Sequence, residues 1–429
     1  MRVAIWGTGE TGIATAKELI RRGYEVRLVD EAAPDKIEGI EAKILDKQDL
    51  DWAEMVIPSP GIPKNHPMFA HAKKILSEIE IAAGFLSGDI IAVTGTNGKT
   101  TTATLISRIL KAAGLNVGLG GNISPPLISL VQDDPEIVVV EISSFQLEWI
   151  EHFHPHIAVC MNISPDHLDR YRDMDEYIYY KLRVFENLTT EDIAIVNDDD
   201  PLLRDLKTKA RIAGFSSKDI SGQTGASISG GKVFFHGSIE GEGPVLPNSD
   251  TFGSGIVEDM LAACLVARFL GVENEIMERV LSEFKTIHHR FEHIGTIDGV
   301  AFVDDSKATN VGAVEKALAG LNTPTVLILG GKDKGGDFKG LARKFQSKIK
   351  KAILLGEASN RIYHAIDGIV DVEEADDMRH AVKLACASAV AGETVLLSPG
   401  CASFDMFSSY AHRGEVFQEC VRKNKKSKR

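Results

Sequence analysis

The run Thr94-Gly95-Thr96-Asn97-Gly98-Lys99-Thr100-Thr101 follows the apolar stretch Asp89–Val93. Small residues there let backbone N–H groups wrap a phosphate chain, and a helix beginning at the loop points its positive end at the anion. Lys99 would bring a point charge to the terminal phosphates, and Thr100 a hydroxyl to Mg²⁺. The pattern is G-x-x-G-K-T and not the fuller G-x-x-x-x-G-K-[ST], because Val93 stands where the first glycine belongs. It predicts binding of a nucleoside triphosphate; the bland alternative is a turn that happens to hold a lysine.

Magnesium at such a loop needs hard oxygen ligands. Glu141 closes the apolar run Ile137–Val140, ahead of Ser143-Ser144-Phe145-Gln146, and fits that need, although strand-end charges are as often merely exposed. His167 lies in Asn162-Ile163-Ser164-Pro165-Asp166-His167-Leu168-Asp169-Arg170, where a lone histidine is more often structural. His152, His154 and His156 precede a strand and read as loop residues, not as a metal site. Tyr177, Tyr180, Lys181, Val184, Phe185 and Leu188 recur at helical spacing, which puts Lys181 on one apolar stripe between aromatics. Its ammonium either snorkels to water or is desolvated. A desolvated, neutral amine can combine with CO₂ to give a carbamate, turning a cation into a carboxylate-like metal ligand.

Gly7, Gly9 and Gly12 match G-x-G-x-x-G, with Asp30 ending the next apolar run. A nicotinamide dinucleotide, another nucleotide diphosphate or plain structural glycines would each account for it. Three later turns, at 304–310, 330–336 and 398–405, each join small residues to a charge just after an apolar run, which points to one shared cleft. Arg290, in His289-Arg290-Phe291-Glu292, is placed to reach a phosphate.

Strand-like runs must position all of these. They read at Val3–Trp6, Val26–Val29, Asp89–Val93, Ile137–Ile142, Ile157–Met161, Ile193–Asn197, Val300–Asp304, Thr325–Leu329, Lys351–Leu355 and Thr394–Ser398, with helical stretches between them. That alternation predicts an α/β fold: three domains in series, each a mainly parallel sheet flanked by helices. The boundaries fall at 1–88, 89–286 and 287–429, with hinges near Gly88 and Thr286. A Gly- and Ser-rich stretch from about Ser216 to Asp250 reads as hairpins or an insert.

At 429 residues, 44% hydrophobic and 25% charged, the chain has the make-up of a globular protein. Its net charge of −13 argues against a nucleic-acid surface. Arg422, Lys423, Lys425, Lys426, Lys428 and Arg429 read as a frayed, solvated tail. Cys160, Cys264, Cys386, Cys401 and Cys420 form no disulfide or zinc pattern, so a cytoplasmic setting is expected. The N-terminal apolar run breaks at Gly7, too early for a signal peptide, and no stretch is apolar enough for a membrane span.

With these residues in hand, the chain resembles the Mur ligase family over nearly its whole length. The shared marks are Thr94–Thr101, Glu141 with Ser143-Ser144, Asn162 with Asp166-His167-Leu168-Asp169-Arg170, and His289-Arg290-Phe291-Glu292. Asp305-Ser306-Lys307-Ala308-Thr309-Asn310, Ser398–Asp405 and Gln146 resemble its D-glutamate-adding branch. The resemblance implies ATP-driven addition of D-glutamate to UDP-N-acetylmuramoyl-L-alanine through an acyl phosphate, in peptidoglycan precursor synthesis, by a monomer. It implies ATP at Gly95, Thr96, Asn97, Gly98, Lys99, Thr100, Thr101, Arg290 and Asp305. Mg²⁺ would bind Thr100 and Glu141, and a second ion His167 and a carbamylated Lys181; Lys99, His167 and Lys181 would be catalytic. Glu10, Thr11, Gly12, Asp30, Ser59, Gly61, Asn122, Ser143, Gln146 and His167 would meet the UDP-muramoyl substrate. Lys307, Thr309, Lys334, Ser403 and Tyr410 would cradle D-glutamate. The first glycine loop would then take uridine diphosphate, not a nicotinamide cofactor.

Two departures stand out. Ahead of Leu261-Ala262-Ala263 the family has a His-Asn pair and then Asn, where this chain has Gly255-Ile256 and Asp259. Lys332 adds a cation near the presumed acceptor site, so acceptor selectivity could be broader. The rival readings are another Mur-type or folyl-polyglutamate-type ligase, and a non-catalytic nucleotide sensor. A dehydrogenase would leave Lys99 without a purpose.

Overall fold

The computed structural model describes residues 1–32, 36–218, 220, 223–247, 254–285 and 288–427. The hinge expected at Thr286, Asp250, and Lys428 and Arg429 of the tail lie outside them. Three sheets carry the chain. The first runs in the order Lys36–Ile37, Ile40–Ile44, Glu25–Asp30, Arg2–Trp6, Met55–Pro58, parallel apart from the short 36–44 hairpin. Alternate side chains feed its two faces: Val3, Ile5 and Leu28 pack with Leu19, while Ala4, Trp6 and Val29 pack with Leu50 and Phe69.

The second sheet runs Gly241–Val245, Lys232–His236, Gly225–Ser229, Arg211–Ser216, Ile193–Asn197, Ile157–Cys160, Asp89–Thr94, Ile137–Glu141, Val117–Gly121. Its Gly- and Ser-rich end is antiparallel, as hairpins should be. The third runs Glu292–Ile297, Val300–Asp304, Thr394–Leu397, Thr325–Leu329, Ile349–Leu355, Asp371–Ala375, with only its first pair antiparallel. By packing, the chain forms two compact units. One is Met1–Ile163, Asp175–Val245 and Glu258–Leu281, and holds the first two sheets; the other is Ser164–Met174, Leu246–Val257 and Ser282–Arg429.

Two expectations change. The basic tail is not frayed as far as Ser427: helix Tyr410–Ser427 runs through it, because Phe417 and Val421 bury its inner face and Lys423 pairs with Glu419 at 2.6 Å. The stripe from Tyr177 to Leu188 is not one α-helix. Helix Met174–Leu182 tightens into a 3₁₀ turn at Arg183–Phe185, yet Val184, Phe185 and Leu188 stay buried. Near Gly88, Ser87 N donates to Asp134 and Asp89 N to Glu136 O.

Helix Glu78–Ala83, which precedes the second sheet, buries a carboxyl group. Glu78 is 2% exposed; its Oε1 accepts Ile128 N at 2.6 Å and its Oε2 has no partner among the described residues. Burial pushes its pKa up to about 7, offset only in part by that one N–H. The folded state therefore holds this proton more tightly than the unfolded chain. Stability is lost as pH rises from the ordinary carboxyl range through 7, by roughly 3 kcal/mol in full. Glu78→Gln should raise Tm at pH 8.5 by several degrees and leave it nearly unchanged at pH 4.5. A pH-independent shift in thermal melts would show that Glu78 does not titrate this way.

Candidate active site

Strand Asp89–Thr94 lies between Ile137–Glu141 and Ile157–Cys160, so residues just past three neighbouring carboxyl ends converge. The phosphate loop leaves the central one. Gly98 has φ 94°, and a Cβ on it would lie 2.3 Å from Asp259 Oδ1, so both conformation and space demand glycine. Helix Lys99–Ala112 starts immediately, and the N–H groups of its first turn have no intrahelical acceptors. Asn162, from the next strand end, shapes the loop: its carbonyl accepts Thr96 N at 2.8 Å, its Oδ1 accepts Asn97 N at 2.9 Å, and its Nδ2 donates to Asn97 O at 3.0 Å. Lys99 Nζ donates to the carbonyls of Gly95 and Thr96, at 2.8 and 2.9 Å. Thr100 is half-buried at the helix start.

Glu141 is 2% exposed. Its Oε1 accepts Asn122 Nδ2 at 2.8 Å, and its Oε2 is buried with no partner among the described residues. A carboxylate aimed by one hydrogen bond, with its second oxygen unsatisfied, is what a hard cation requires of a ligand. Thr101 Oγ1, next to Thr100, is buried in the same condition. Lys181 is also 2% exposed, its Nζ 4.8 Å from the Tyr177 ring centre. The ammonium end does not reach water, which overturns the snorkelling alternative. Tyr177 in turn meets the phosphate loop, its hydroxyl 2.9 Å from Thr96 Oγ1.

In the first sheet, the glycine loop is built by close approach. A Cβ on Gly12 would fall 1.9 Å from the Gly7 carbonyl oxygen, and Ser59 covers Gly7. Asp30 Oδ2 accepts both the N–H and the hydroxyl of Thr8 at 2.7 Å, and Oδ1 accepts Glu31 N. Partial burial opposes ionisation, but these bonds hold the carboxyl below its usual range. Glu10 accepts Ser124 Oγ at 2.6 Å, and the Thr11 carbonyl accepts Thr15 Oγ1. Ser59 N donates to Trp6 O, and Gly61 is exposed beside it. Asn122 is turned onto Glu141, and Ser143 and Gln146 close on each other as a helix capping box.

The second unit gathers the other residues. The turns after Asp304, Leu329 and Leu397 do come together: Gly330 N donates to Pro399 O, Gly400 N to Ala308 O, and Lys332 pairs with Ala402 through the backbone. Asp305 accepts Ser398 Oγ and Phe291 N, and burial pushes its pKa up to about 7. Lys307 Nζ lies 5.3 Å from the Tyr410 ring centre, Ser403 is buried, and Thr309 and Arg290 are half-buried. Lys334 Nζ donates to Asp166 at 3.3 Å, and Asn310 Nδ2 to the same carboxylate at 3.1 Å. His167, beside it, has φ 56°. The Lys332 side chain is exposed, Gly255 packs on the Lys316 stem, and Ile256 is buried.

Sequence reasoning missed Arg413. It is 1% exposed and donates to Ser306 Oγ, Ser306 O and Cys401 O, tying two of the turns together. An arginine one helical turn before buried Phe417 was the available signal. It also missed the group His288, His289 and Glu292, whose ligand atoms lie within 4.8 Å of one another. Those atoms are already hydrogen-bonded, His288 to Glu292 and His289 to Asp304.

The Asn162 clamp yields a measurable expectation. Removing a buried amide that makes two loop hydrogen bonds costs about 1–3 kcal/mol, or roughly 5- to 150-fold. Asn162→Ala should raise KM for the nucleoside triphosphate by about that factor while the KM values of other substrates change little. Equal loss for all substrates would point to general unfolding instead.

Comparison with known proteins agrees with the geometry. Residues 93–267 match the Mur ligase middle domain and residues 289–401 the Mur ligase, glutamate ligase domain. The chain is 39% identical to the UDP-N-acetylmuramoylalanine–D-glutamate ligase of Pelotomaculum thermopropionicum, over 99% of this chain and 98% of that one. It is 40% identical to that of Syntrophotalea carbinolica, over 98% and 97%. Among solved structures, a pseudomurein peptide ligase type C from Methanothermus fervidus superposes with TM-score 0.65 at 18% identity, covering 99% of each chain. The MurF ligase of Thermotoga maritima, in complex with ADP, gives 0.61 at 18% identity, over 100% and 95%. A phosphate loop clamped by Asn162, a buried carboxylate at the neighbouring strand end and full-length likeness to these enzymes place the chain in the Mur ligase family.

Proposed function

We propose that the chain joins D-glutamate to UDP-N-acetylmuramoyl-L-alanine at the expense of ATP, as a cytoplasmic monomer making peptidoglycan precursors. One observation carries the reading: the phosphate loop and an unpartnered, buried Glu141 oxygen end neighbouring strands, in a chain that resembles D-glutamate ligases from end to end. The L-alanyl carboxylate attacks the γ-phosphorus of ATP, ADP leaves, and an acyl phosphate remains. The D-glutamate amine then attacks the acyl carbon, loses a proton and expels phosphate. Two anions must meet in the first step, so charge neutralisation is the main demand on the site.

Lys99 and the first turn of its helix hold the β- and γ-phosphates, and Arg290 and Asp305 complete the ATP contacts. Thr100 and Glu141 hold Mg²⁺, which when bound neutralises phosphate charge. The residues fit it, since Glu141 Oε2 has no other partner among the described residues. We assign Lys181, as its carbamate, and His167 to metal ligation as well. The carbamate forms when the neutral amine adds CO₂ and releases a proton, and burial at 2% exposure favours a group that trades its positive charge for a metal partner. The glycine loop with Glu10, Thr11, Gly12, Asp30, Ser59 and Gly61 takes the UDP-sugar, helped by Asn122, Ser143 and Gln146. Lys307, Thr309, Lys334, Ser403 and Tyr410 take D-glutamate, which fits the meeting of the three turns.

Phosphate release should require both the UDP-muramoyl substrate and an amino acid, and D-glutamate should far outpace other amino acids. Release without either substrate would instead mark a nucleotide sensor; release with many acceptors would show that Lys332 widens selectivity. Lys99→Ala should abolish turnover. Lys181→Ala should lose most of it and regain part when acetate or another small carboxylic acid is added. Unchanged activity in Lys181→Ala would remove the carbamate from the mechanism.

A further inference from the structure

The loop that follows strand Met55–Pro58 is held over the first sheet. Ser59 N donates to Trp6 O at 2.6 Å, Ile62 N to Ser59 O at 3.0 Å, and His66 N to Pro63 O at 2.9 Å. The His66 ring meets Trp6 edge-on with centres 4.8 Å apart. Lys64 leaves this loop and makes an ion pair with Glu176. Its Nζ also lies 4.3 Å from the centre of the Tyr180 ring. Glu176 and Tyr180 are four residues apart, hence on one face of helix Met174–Leu182, and Lys181 is the next residue along it. The pair is mostly out of water: the side chains are 18% and 11% exposed. A partly desolvated pair seated on an aromatic face is stronger than a surface pair, and losing one partner strands the other.

Lys64 thus connects two things that the proposed reaction needs in register. On one side is the Ser59–Gly61 bend that covers the glycine loop; on the other is the helix that carries Lys181. We propose that Lys64 is a positioning residue, whose ion pair with Glu176 and seat on Tyr180 fix the nucleotide-sugar loop relative to Lys181. This rests on the function proposed above. The nucleotide end of the substrate is held by the loop, while its carboxylate reacts far along the same molecule. A small rotation of the loop becomes a large error at the reacting atom, and a misplacement of about 1 Å can cost about a hundredfold in rate. A single flexible lysine would fix little alone. Two contacts, one ionic and one to a ring face, restrict it more than either would alone.

A double-mutant cycle tests this. Lys64→Met and Glu176→Gln should each raise KM for the UDP-muramoyl substrate about tenfold and lower kcat, with KM for ATP changed less than twofold. The swap Lys64→Glu with Glu176→Lys restores the ion pair but not the seat on Tyr180 and should recover part of the loss, and Lys64→Arg should stay near the parent. Melting temperatures measured alongside separate this from simple unfolding, because the swap restores a pair that a destabilised variant would not. The proposal is overturned if the single variants match the parent, if the swap is no better than the singles, or if KM for ATP rises as much as that for the nucleotide sugar. A parent enzyme that releases no phosphate with both substrates sinks the function reading, and the positioning role of Lys64 with it.

Discussion

A carboxylate oxygen buried without a hydrogen-bond partner is an expensive thing for a protein to keep. Glu141 keeps one, with its other oxygen tied to Asn122, one strand over from the phosphate loop. A cation beside it would satisfy that oxygen, and the second sheet offers it a water-poor setting. The strands on either side are apolar on both faces, so they exclude water from the site: Val138, Val139 and Val140 are fully buried, as are Ala92, Val93, Ala158 and Val159. Low polarity around the strand ends strengthens whatever charge interaction occurs there.

That same burial explains what could be read from the sequence. Central strands such as Ile193–Asn197, Val300–Asp304 and Thr325–Leu329 stand out because both faces are covered and nearly every residue is apolar. Edge or half-covered strands do not: three of the five residues of Val117–Gly121 are glycine, Asp371–Ala375 is mostly acidic, and Glu292–Ile297 has no fully buried position. Site residues grouped in one turn, such as Gly95–Thr101, were legible for the same local reason. The tethers that hold those turns were not. Asn162 reaches back 65 residues to Asn97, and Arg413 reaches 107 to Ser306. No spacing rule covers such pairs; only folding brings them together.

These tethers follow one design in all three sheets. A polar side chain from a neighbouring strand end or helix satisfies the backbone of a turn at a strand end: Asp30 for Thr8, Asn162 for Asn97, Arg413 for Ser306 and Cys401. The turn is thereby fixed before any ligand arrives, so binding need not order it. Asp259 lies against the phosphate loop at the place where the family has asparagine. It is 1% exposed, it accepts the Thr102 hydroxyl at 3.3 Å, and it abuts Gly98. It braces the phosphate loop but, unlike an asparagine, it offers no N–H to a base or a phosphate when ionised.

Two strand-end aspartates show how the environment divides one residue type between roles. Asp30 is partly exposed and receives the Thr8 hydroxyl together with the N–H groups of Thr8, Glu31 and Ala32, so it stays an anion that can order a loop. Asp305 is buried and, among the described residues, receives Ser398 Oγ and Phe291 N, and burial pushes its pKa up to about 7. A permanently charged carboxylate there would oppose a phosphate; a protonated one can donate to it. Ionisation would instead suit a partner that brings positive charge. The count of donors and the access of water, not the identity of the side chain, decide which of these an aspartate at a strand end becomes.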